Sequence, residues 1–420
     1  MVKSLVIMRF RTPVNFKSKK AYSFMSRSIS KHMQHMNPSL IRELFKAAQR
    51  EDMISFTAGS PSPEEFPLAE LVEVSKTVFA EKAVQALSYG VTEGYEPLRR
   101  WIADDLTGRG ICGAEDDVIV ISGGQQALDF TAKCLIDDGD TVLTEAPTFL
   151  NALNTFRTYG AHLAGVPMDG DGMDMEALEQ ALQREKNVKF IYTIPNFQNP
   201  MGVTLSEARR RRLYELAVEY DVMILEDDPY GRLRYSGEAV PAVKTLDRGS
   251  HVIYTGSFSK IIAPGIRVAY LCGPKALIAK MVVAKQCVDV HTNMISQILV
   301  HEYLTHYDLE AHIRACCDHY RDKRDAMLAA IDRFFPKEVA VTRPEGGLFL
   351  WVTLPEGVSG LAFQQYAAGQ GVAVVPGAPF FADNMTDDRG LRMNFSVPSL
   401  EQIEEGMRRM GEGLRSYLQL

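Results

Sequence analysis

Within eleven residues, Ser257-Phe258-Ser259-Lys260 and Pro264-Gly265-Ile266-Arg267 bring together two hydroxyls, an amine and a guanidinium. The set follows directly on an apolar run, His251-Val252-Ile253-Tyr254-Thr255, which has the composition of a strand. An amine attacks a carbonyl carbon only when neutral, so it needs desolvation or a neighbouring cation to depress its pKa. Arg267 is such a cation. Two hydroxyls and a guanidinium also suit a phosphate dianion, which arginine grips bidentately. Taken alone, the segment has a bland alternative, a lysine in a polar surface loop.

Three further segments join it. Ser122-Gly123-Gly124-Gln125-Gln126-Ala127-Leu128 turns from strand into helix. Glycines let the backbone approach an oxyanion, and the free N–H groups of a helix start attract it; a structural turn is the other reading. Pro195-Asn196-Phe197-Gln198-Asn199-Pro200-Met201-Gly202 holds too many turn-formers for regular structure, and Asn199 can present an amide donor. Glu226-Asp227-Asp228-Pro229-Tyr230 places carboxylates directly after an apolar strand. A solvated acidic turn is the usual meaning. Beside the other loops it points instead to an anion facing a protonated pyridine nitrogen, with Tyr230 reaching the neighbouring phenolate oxygen. An amine nucleophile next to a phosphate clamp reads as a pyridoxal phosphate site.

These loops need a scaffold. Short β-rich runs recur at 118–121, 141–144, 188–194, 222–226, 251–255 and 268–272, and the stretches 125–136 and 206–220 carry apolar residues at helical spacing. Such alternation predicts an α/β fold, with βαβ units around a buried, mostly parallel sheet. Ligands on such sheets gather at the carboxyl ends of the strands, where all four motifs fall. Residues 309–334 read as one long helix, followed by strand regions at 346–353 and 391–396, which together predict a smaller α+β domain.

At 420 residues the chain exceeds the size at which a single core keeps growing, so two domains are expected. A net charge of −7 argues against a nucleic-acid partner. No apolar run approaches the roughly 20 residues of a membrane span, so no membrane partner is expected. Six cysteines, at 112, 134, 272, 287, 316 and 317, show neither CxxC pairing nor zinc spacing; no metal is expected, and reduced thiols of a cytoplasmic protein explain them. The start is different in kind: eight lysines and arginines, from Lys3 to Lys31, precede the first acidic residue, Glu43. It reads as an organelle transit peptide or as a tail from an over-early start, Met25 being the natural beginning; the missing Arg-rich amphipathic period favours the second. Asn37-Pro38-Ser39-Leu40-Ile41-Arg42-Glu43-Leu44 reads as a helix start, capped by Asn37.

The set SGGQQAL, PNFQNPMG, EDDPY, SFSK with PGIR, and LRMNFS resembles the fold-type-I pyridoxal phosphate aminotransferases, within them the 2-aminoadipate and kynurenine aminotransferase subgroup, which also supplies the domain of MocR-type regulators. The resemblance runs from about Asn37 to the C-terminus. It implies a mostly parallel seven-stranded sheet flanked by helices, a tail over 1–36, small-domain parts over 37–68 and 309–420, and a large cofactor-binding domain over 69–308. It gives Lys260 the role of Schiff-base lysine and proton shuttle, Asp227 that of carboxylate to the ring nitrogen, and Asn199 and Tyr230 those of donors to the ring oxygen. Gly124, Gln125, Ser257, Ser259 and Arg267 match the phosphate-binding positions, and Arg392 the clamp on the substrate α-carboxylate. Gly59 and Asn199 match substrate positions. Tyr89 matches a tyrosine that reaches the partner subunit's phosphate, which implies a homodimer with shared sites. The ring-stacking position, often tyrosine, is Phe149 here. An arginine at the place of Arg42 can meet the distal carboxylate or side chain of the substrate; a surface pair with Glu43 or Asp52 is the other reading.

The expected reaction is ping-pong exchange of an amino group between an amino acid, bulky or acidic, and a 2-oxo acid, with 2-oxoglutarate a good acceptor. A C–S lyase or a decarboxylase on the same scaffold is the alternative, since fold does not fix reaction type. A non-catalytic sensor is opposed by the filled catalytic positions and by a leading segment too short for a winged helix.

Overall fold

The computed structural model describes residues 29–34, 36, 53–382 and 387–419. The chain divides into two units, Met1–Asn37 and Pro38–Leu420. In the first, Lys31–Gln34 forms one helical turn, and Gln34 Nε2 donates to the Ile29 carbonyl at 2.8 Å. The expectations for residues 1–24, for the helix start at Asn37 and for Arg42 lie outside the described residues.

In the second unit, β1 (Ile54–Ser55) precedes a large sheet of β2 (Asp116–Ile121), β3 (Thr141–Ala146), β4 (His162–Asp169), β5 (Gly172–Met173), β6 (Val188–Thr193), β7 (Met223–Asp228), β8 (Val252–Ser257) and β9 (Ala269–Pro274). The order is β2-β9-β8-β7-β6-β3-β4-β5. β9 is antiparallel to both neighbours and β5 to β4; the other pairs are parallel. Seven strands were expected, and the two-residue β5 makes an eighth. β4 escaped the sequence reading because Gly165 and Pro167 dilute its β signal.

The strands are buried on both faces, as parallel sheets are. Val142, Phe190, Tyr192, Leu225 and Ile253 belong to one apolar cluster, while their chain neighbours Leu143, Ile191, Ile224 and Val252 belong to another. This period of two sets which side chains at the strand ends share a face.

The C-terminal part carries a four-stranded antiparallel sheet of β10 (Ala340–Val341), β11 (Phe349–Thr353), β13 (Val375–Pro376) and β14 (Gly390–Asn394), in the order β10-β11-β14-β13. β12 (Val372–Ala373) pairs in parallel with β1, so residues before the large sheet complete structure near the far end of the chain. The long helix spans Leu309–Phe334, the predicted bounds, with the Asp308 side chain accepting from Ala311 N at its start. The last helix, Leu400–Leu418, opens on a Ser399–Gln402 capping box.

Candidate active site

The carboxyl ends of β2, β3, β6, β7 and β8 open into a cavity of about 690 Å³, closed on its other side by Thr57, Gly59, Phe380 and Arg392. Of the site residues read from the sequence, Gly59, Gly124, Gln125, Phe149, Asn199, Asp227, Tyr230, Ser257, Ser259, Lys260, Arg267 and Arg392 all line it. Tyr89 does not; it stands 91% exposed, its ring 5.7 Å from that of His291. One local expectation needs correcting: Glu226 and Asp227 do not follow their strand but lie inside β7, which ends at Asp228, and Ser257 is the last residue of β8.

Strand alternation therefore separates the three acids. Asp227 lies on the face of Leu225, whose register partner is Tyr192, and the Tyr192 hydroxyl donates to Asp227 Oδ2 at 2.9 Å. Asp228 points the other way and is saturated by Tyr254 Oη at 2.9 Å, Asn196 Nδ2 at 3.0 Å and the Gly231 N–H at 2.9 Å. Glu226 accepts from the Val243 and Lys244 amides, both at 2.8 Å. Only Asp227 reaches the cavity. Burial pushes its carboxyl up to about 7, with Asp228 adding to the rise and the Tyr192 hydrogen bond and Lys260 opposing it. A neighbouring cation is what would hold it ionised at neutral pH.

Lys260, three residues beyond the end of β8, donates from Nζ to the Gly59 carbonyl at 2.7 Å. Desolvation, then the charges of Arg392 and Arg267, pull its pKa down to about 8 against the attraction of Asp227. Near neutral pH that leaves a far larger share of the amine neutral than an ordinary lysine keeps. Arg392 comes from β14. Its Nη2 donates to the Thr57 carbonyl at 2.9 Å and Nη1 to Asn199 Oδ1 at 3.2 Å, and the guanidinium lies 4.6 Å from the Phe349 ring centroid. Among the described residues its buried Nε has no partner and no carboxylate pairs with it. Burial draws its pKa down to about 10. A buried guanidinium with an open donor beside a cavity is built to receive an anion.

Asn199 is held by its loop. Gln198 Nε2 donates to Glu145 Oε2 and to the Pro147 carbonyl, both at 2.8 Å, and the buried Arg210 spans the carbonyls of Pro195, Leu205 and Pro241. The opposite wall is the helix Gly124–Leu135. Among the described residues no side chain caps its first turn, which leaves its first amide dipoles facing the cavity. Gly123 sits at φ 87°, and a Cβ there would lie 1.8 Å from Arg267 Nη2, so glycine is required both by the backbone and by the guanidinium seated against it. Arg267, itself left-handed at φ 59°, donates from Nη2 to the Ser122 carbonyl at 3.2 Å and from Nη1 to Pro264 O at 3.2 Å. Ser257 Oγ accepts from the Ser259 amide at 3.1 Å.

The sequence reading missed Tyr192 and Thr57. Tyr192 stands inside an apolar strand and looks like core; Thr57 acts through its carbonyl, which no side-chain pattern announces.

A depressed lysine, an uncapped helix start with an arginine beside it, a buried carboxylate in want of a cation and an arginine with an open donor together fit pyridoxal phosphate and a carboxylate substrate. This is the outline of a pyridoxal phosphate enzyme. The chain belongs to the family Aminotransferase class I and II, which matches residues 51–410. It is 43% identical to aromatic-amino-acid aminotransferase 1 of Thermococcus litoralis over 388 residues, 91% of this chain and 93% of that one. Among solved structures it is similar to a kynurenine aminotransferase of Pyrococcus horikoshii (41% identity, TM-score 0.91, covering 94% of this chain and 98% of the other). It is similar also to an alpha-aminoadipate aminotransferase of Thermus thermophilus solved with N-(5'-phosphopyridoxyl)-L-leucine (38% identity, TM-score 0.86, covering 94% and 99%). The protein is a pyridoxal phosphate-dependent aminotransferase, exchanging amino groups between amino acids and 2-oxo acids.

Proposed function

We propose that the amino donor is a bulky aromatic or acidic L-amino acid and that 2-oxoglutarate is a good acceptor. The observation that carries the carboxylate part of the reading is Arg392, a buried cation that lines the cavity holding Lys260 and meets no carboxylate among the described residues. The names of the relatives, which span aromatic, kynurenine and aminoadipate substrates, support the side-chain class. The apolar wall of Leu128, Phe149, Leu150, Ile194 and Phe380 supports a bulky side chain.

Pyridoxal phosphate, when bound, supplies an electron-withdrawing ring and carries the amino group between the two half-reactions. Lys260 Nζ takes and returns the substrate Cα proton, a task suited to an amine whose pKa lies near 8. Asp227 supplies the negative charge for the ring nitrogen, oriented by Tyr192. Asn199 and Tyr230 donate toward the ring oxygen, and Phe149 offers a ring face for stacking. Gly124, Gln125, Ser257, Ser259 and Arg267 receive the phosphate. Arg392 grips the α-carboxylate, with Gly59 beside it; Arg42 is assigned to the distal side chain on the resemblance alone. On this reading 69–308 form the cofactor domain, 37–68 with 309–420 the smaller one, and 1–36 a tail. A cytoplasmic location is favoured by six free cysteines without disulfides.

A screen of amino donors against 2-oxoglutarate and pyruvate tests the assignment. Aromatic and acidic donors paired with 2-oxoglutarate are expected to give the highest kcat/KM. Preference for small neutral donors with pyruvate would overturn the substrate class. Arg42→Ala is expected to reduce the advantage of acidic over neutral donors, and an unchanged preference removes Arg42 from the site.

The pKa of Lys260 gives a second expectation. The rate at which apo-protein bonds pyridoxal phosphate should rise with pH as Nζ loses its proton and level off above about 8. Arg392→Leu removes a cation that disfavours the ammonium form, so the midpoint should move to higher pH. A stationary midpoint would show that Arg392 does not tune the lysine.

A homodimer is proposed as the working unit. Leu68, Val72, Phe79, Val84, Leu87 and Val91 are large apolar side chains exposed within one short stretch around Tyr89. An exposed patch of this kind marks an interface, and Tyr89 can then serve the site of a second copy. Sedimentation is expected to give about twice 46.9 kDa; a fully active monomer would contradict the shared site.

A further inference from the structure

Behind the glycine turn, outside the cavity, lies a polar cluster that the proposed mechanism does not use. Lys285, at the end of the helix Lys275–Gln286, is fully buried. Its ammonium donates to Asp289 Oδ1 at 2.9 Å and Oδ2 at 3.0 Å, to Thr292 Oγ1 at 3.0 Å and to Gln126 Oε1 at 3.2 Å. Three N–H donors thus meet three partner groups. All three of those partners converge on a single residue, Ser122, whose Oγ lies 3.1 Å from Thr292 Oγ1. Ser122 Oγ donates to Asp289 Oδ2 at 2.8 Å, and the Ser122 amide donates to Gln126 Oε1 at 2.7 Å. Gln126 Nε2 closes the ring with a 2.9 Å bond to Asp289 Oδ2.

Ser122 is therefore held at both its amide and its hydroxyl, while its carbonyl is the acceptor for Arg267 Nη2. The next two residues, Gly123 and Gly124, form the seat of that guanidinium and the open helix start. An ion pair with its lysine fully buried and its aspartate partly so is a costly way to hold a turn, and an apolar substitute of similar volume often stabilises as well. What the pair fixes is geometry: an acceptor for Arg267 and the direction of the first helical amides.

We infer that Lys285 and Asp289 are positioning residues for the phosphate-binding end of the site, acting through Ser122 on Arg267 and the Gly123–Gly124 turn. The inference rests on the proposed phosphate role of Arg267. None of Ser122, Lys285 and Asp289 lines the cavity, so any effect they have on a ligand is transmitted.

Titration of apo-protein with pyridoxal phosphate and, separately, with pyridoxal tests it. Ser122→Ala and Lys285→Met are each expected to weaken pyridoxal phosphate binding by about tenfold, the loss of a charge-assisted hydrogen bond, with pyridoxal binding unchanged. Excess pyridoxal phosphate should restore turnover. Equal losses for both ligands, or no loss for either, would overturn the inference. Should Lys285→Met fail to fold, Ser122→Ala decides by the same comparison. Arg267→Ala separates the two levels. If it leaves pyridoxal phosphate binding unchanged, the phosphate role itself fails and the positioning role with it. If it weakens binding selectively while Ser122→Ala does not, the positioning role alone is wrong.

Discussion

Lys260→Ala is expected to lower turnover by about 10⁴-fold, the upper range for a group that transfers a proton in the rate-limiting step. It should also abolish covalent attachment of the cofactor. The fold should survive, because Nζ makes one described hydrogen bond, to the Gly59 carbonyl, and packs no core. Intact-mass measurement after borohydride treatment gives the readout: wild type gains the mass of the reduced cofactor and the variant does not. A cofactor still fixed by borohydride in Lys260→Ala would mean that another amine is the attachment point.

Asp227→Ala and Asp228→Ala should fail in opposite ways. Removing the Asp227 carboxylate takes the counter-charge from the ring nitrogen and leaves the Tyr192 hydroxyl without its acceptor. An activity loss of about 10²- to 10³-fold is expected, the usual scale for one preorganised electrostatic group, with a smaller loss of thermal stability than at Asp228 because one buried donor is stranded. Asp228 instead joins the hydroxyl of Tyr254, the amide of Asn196 and the backbone of Gly231. Its loss strands three donors, so Asp228→Ala should unfold at a distinctly lower temperature. Calorimetry and steady-state rates on the two variants decide the matter. A normal Asp227→Ala beside an inactive but stable Asp228→Ala would reverse the assignment.

This distinction was only half legible in the sequence. The acids were placed in one loop after a strand, where two neighbouring carboxylates are equivalent. The structure extends β7 through Asp228, and alternation then sends Asp227 and Asp228 to opposite faces. The alternation of strands and helices, the long helix at 309–334 and the meeting of four loops at one sheet edge were all visible in composition and spacing. What could not be read was anything that depends on pairing register. Tyr192 meets Asp227 because β6 and β7 align Tyr192 with Leu225, and no local pattern contains that alignment. Gly59 was expected from resemblance; its contribution to Lys260 is a carbonyl that every residue possesses. Strand β4 was lost to its own glycine and proline.

The parts of the site lie in a telling order along the chain. Within the cavity, everything assigned to the cofactor falls between Gly124 and Arg267, whereas Arg392 follows 125 residues later. At roughly 5–20 residues per second, on the order of 6–25 s of synthesis separate the two. A growing polypeptide thus contains the residues proposed for the cofactor well before the arginine proposed for the substrate carboxylate. β14 must also pair with β11 before Arg392 reaches Thr57 and Asn199. Arg392, proposed for the substrate carboxylate, is the last of the residues lining the cavity to be made.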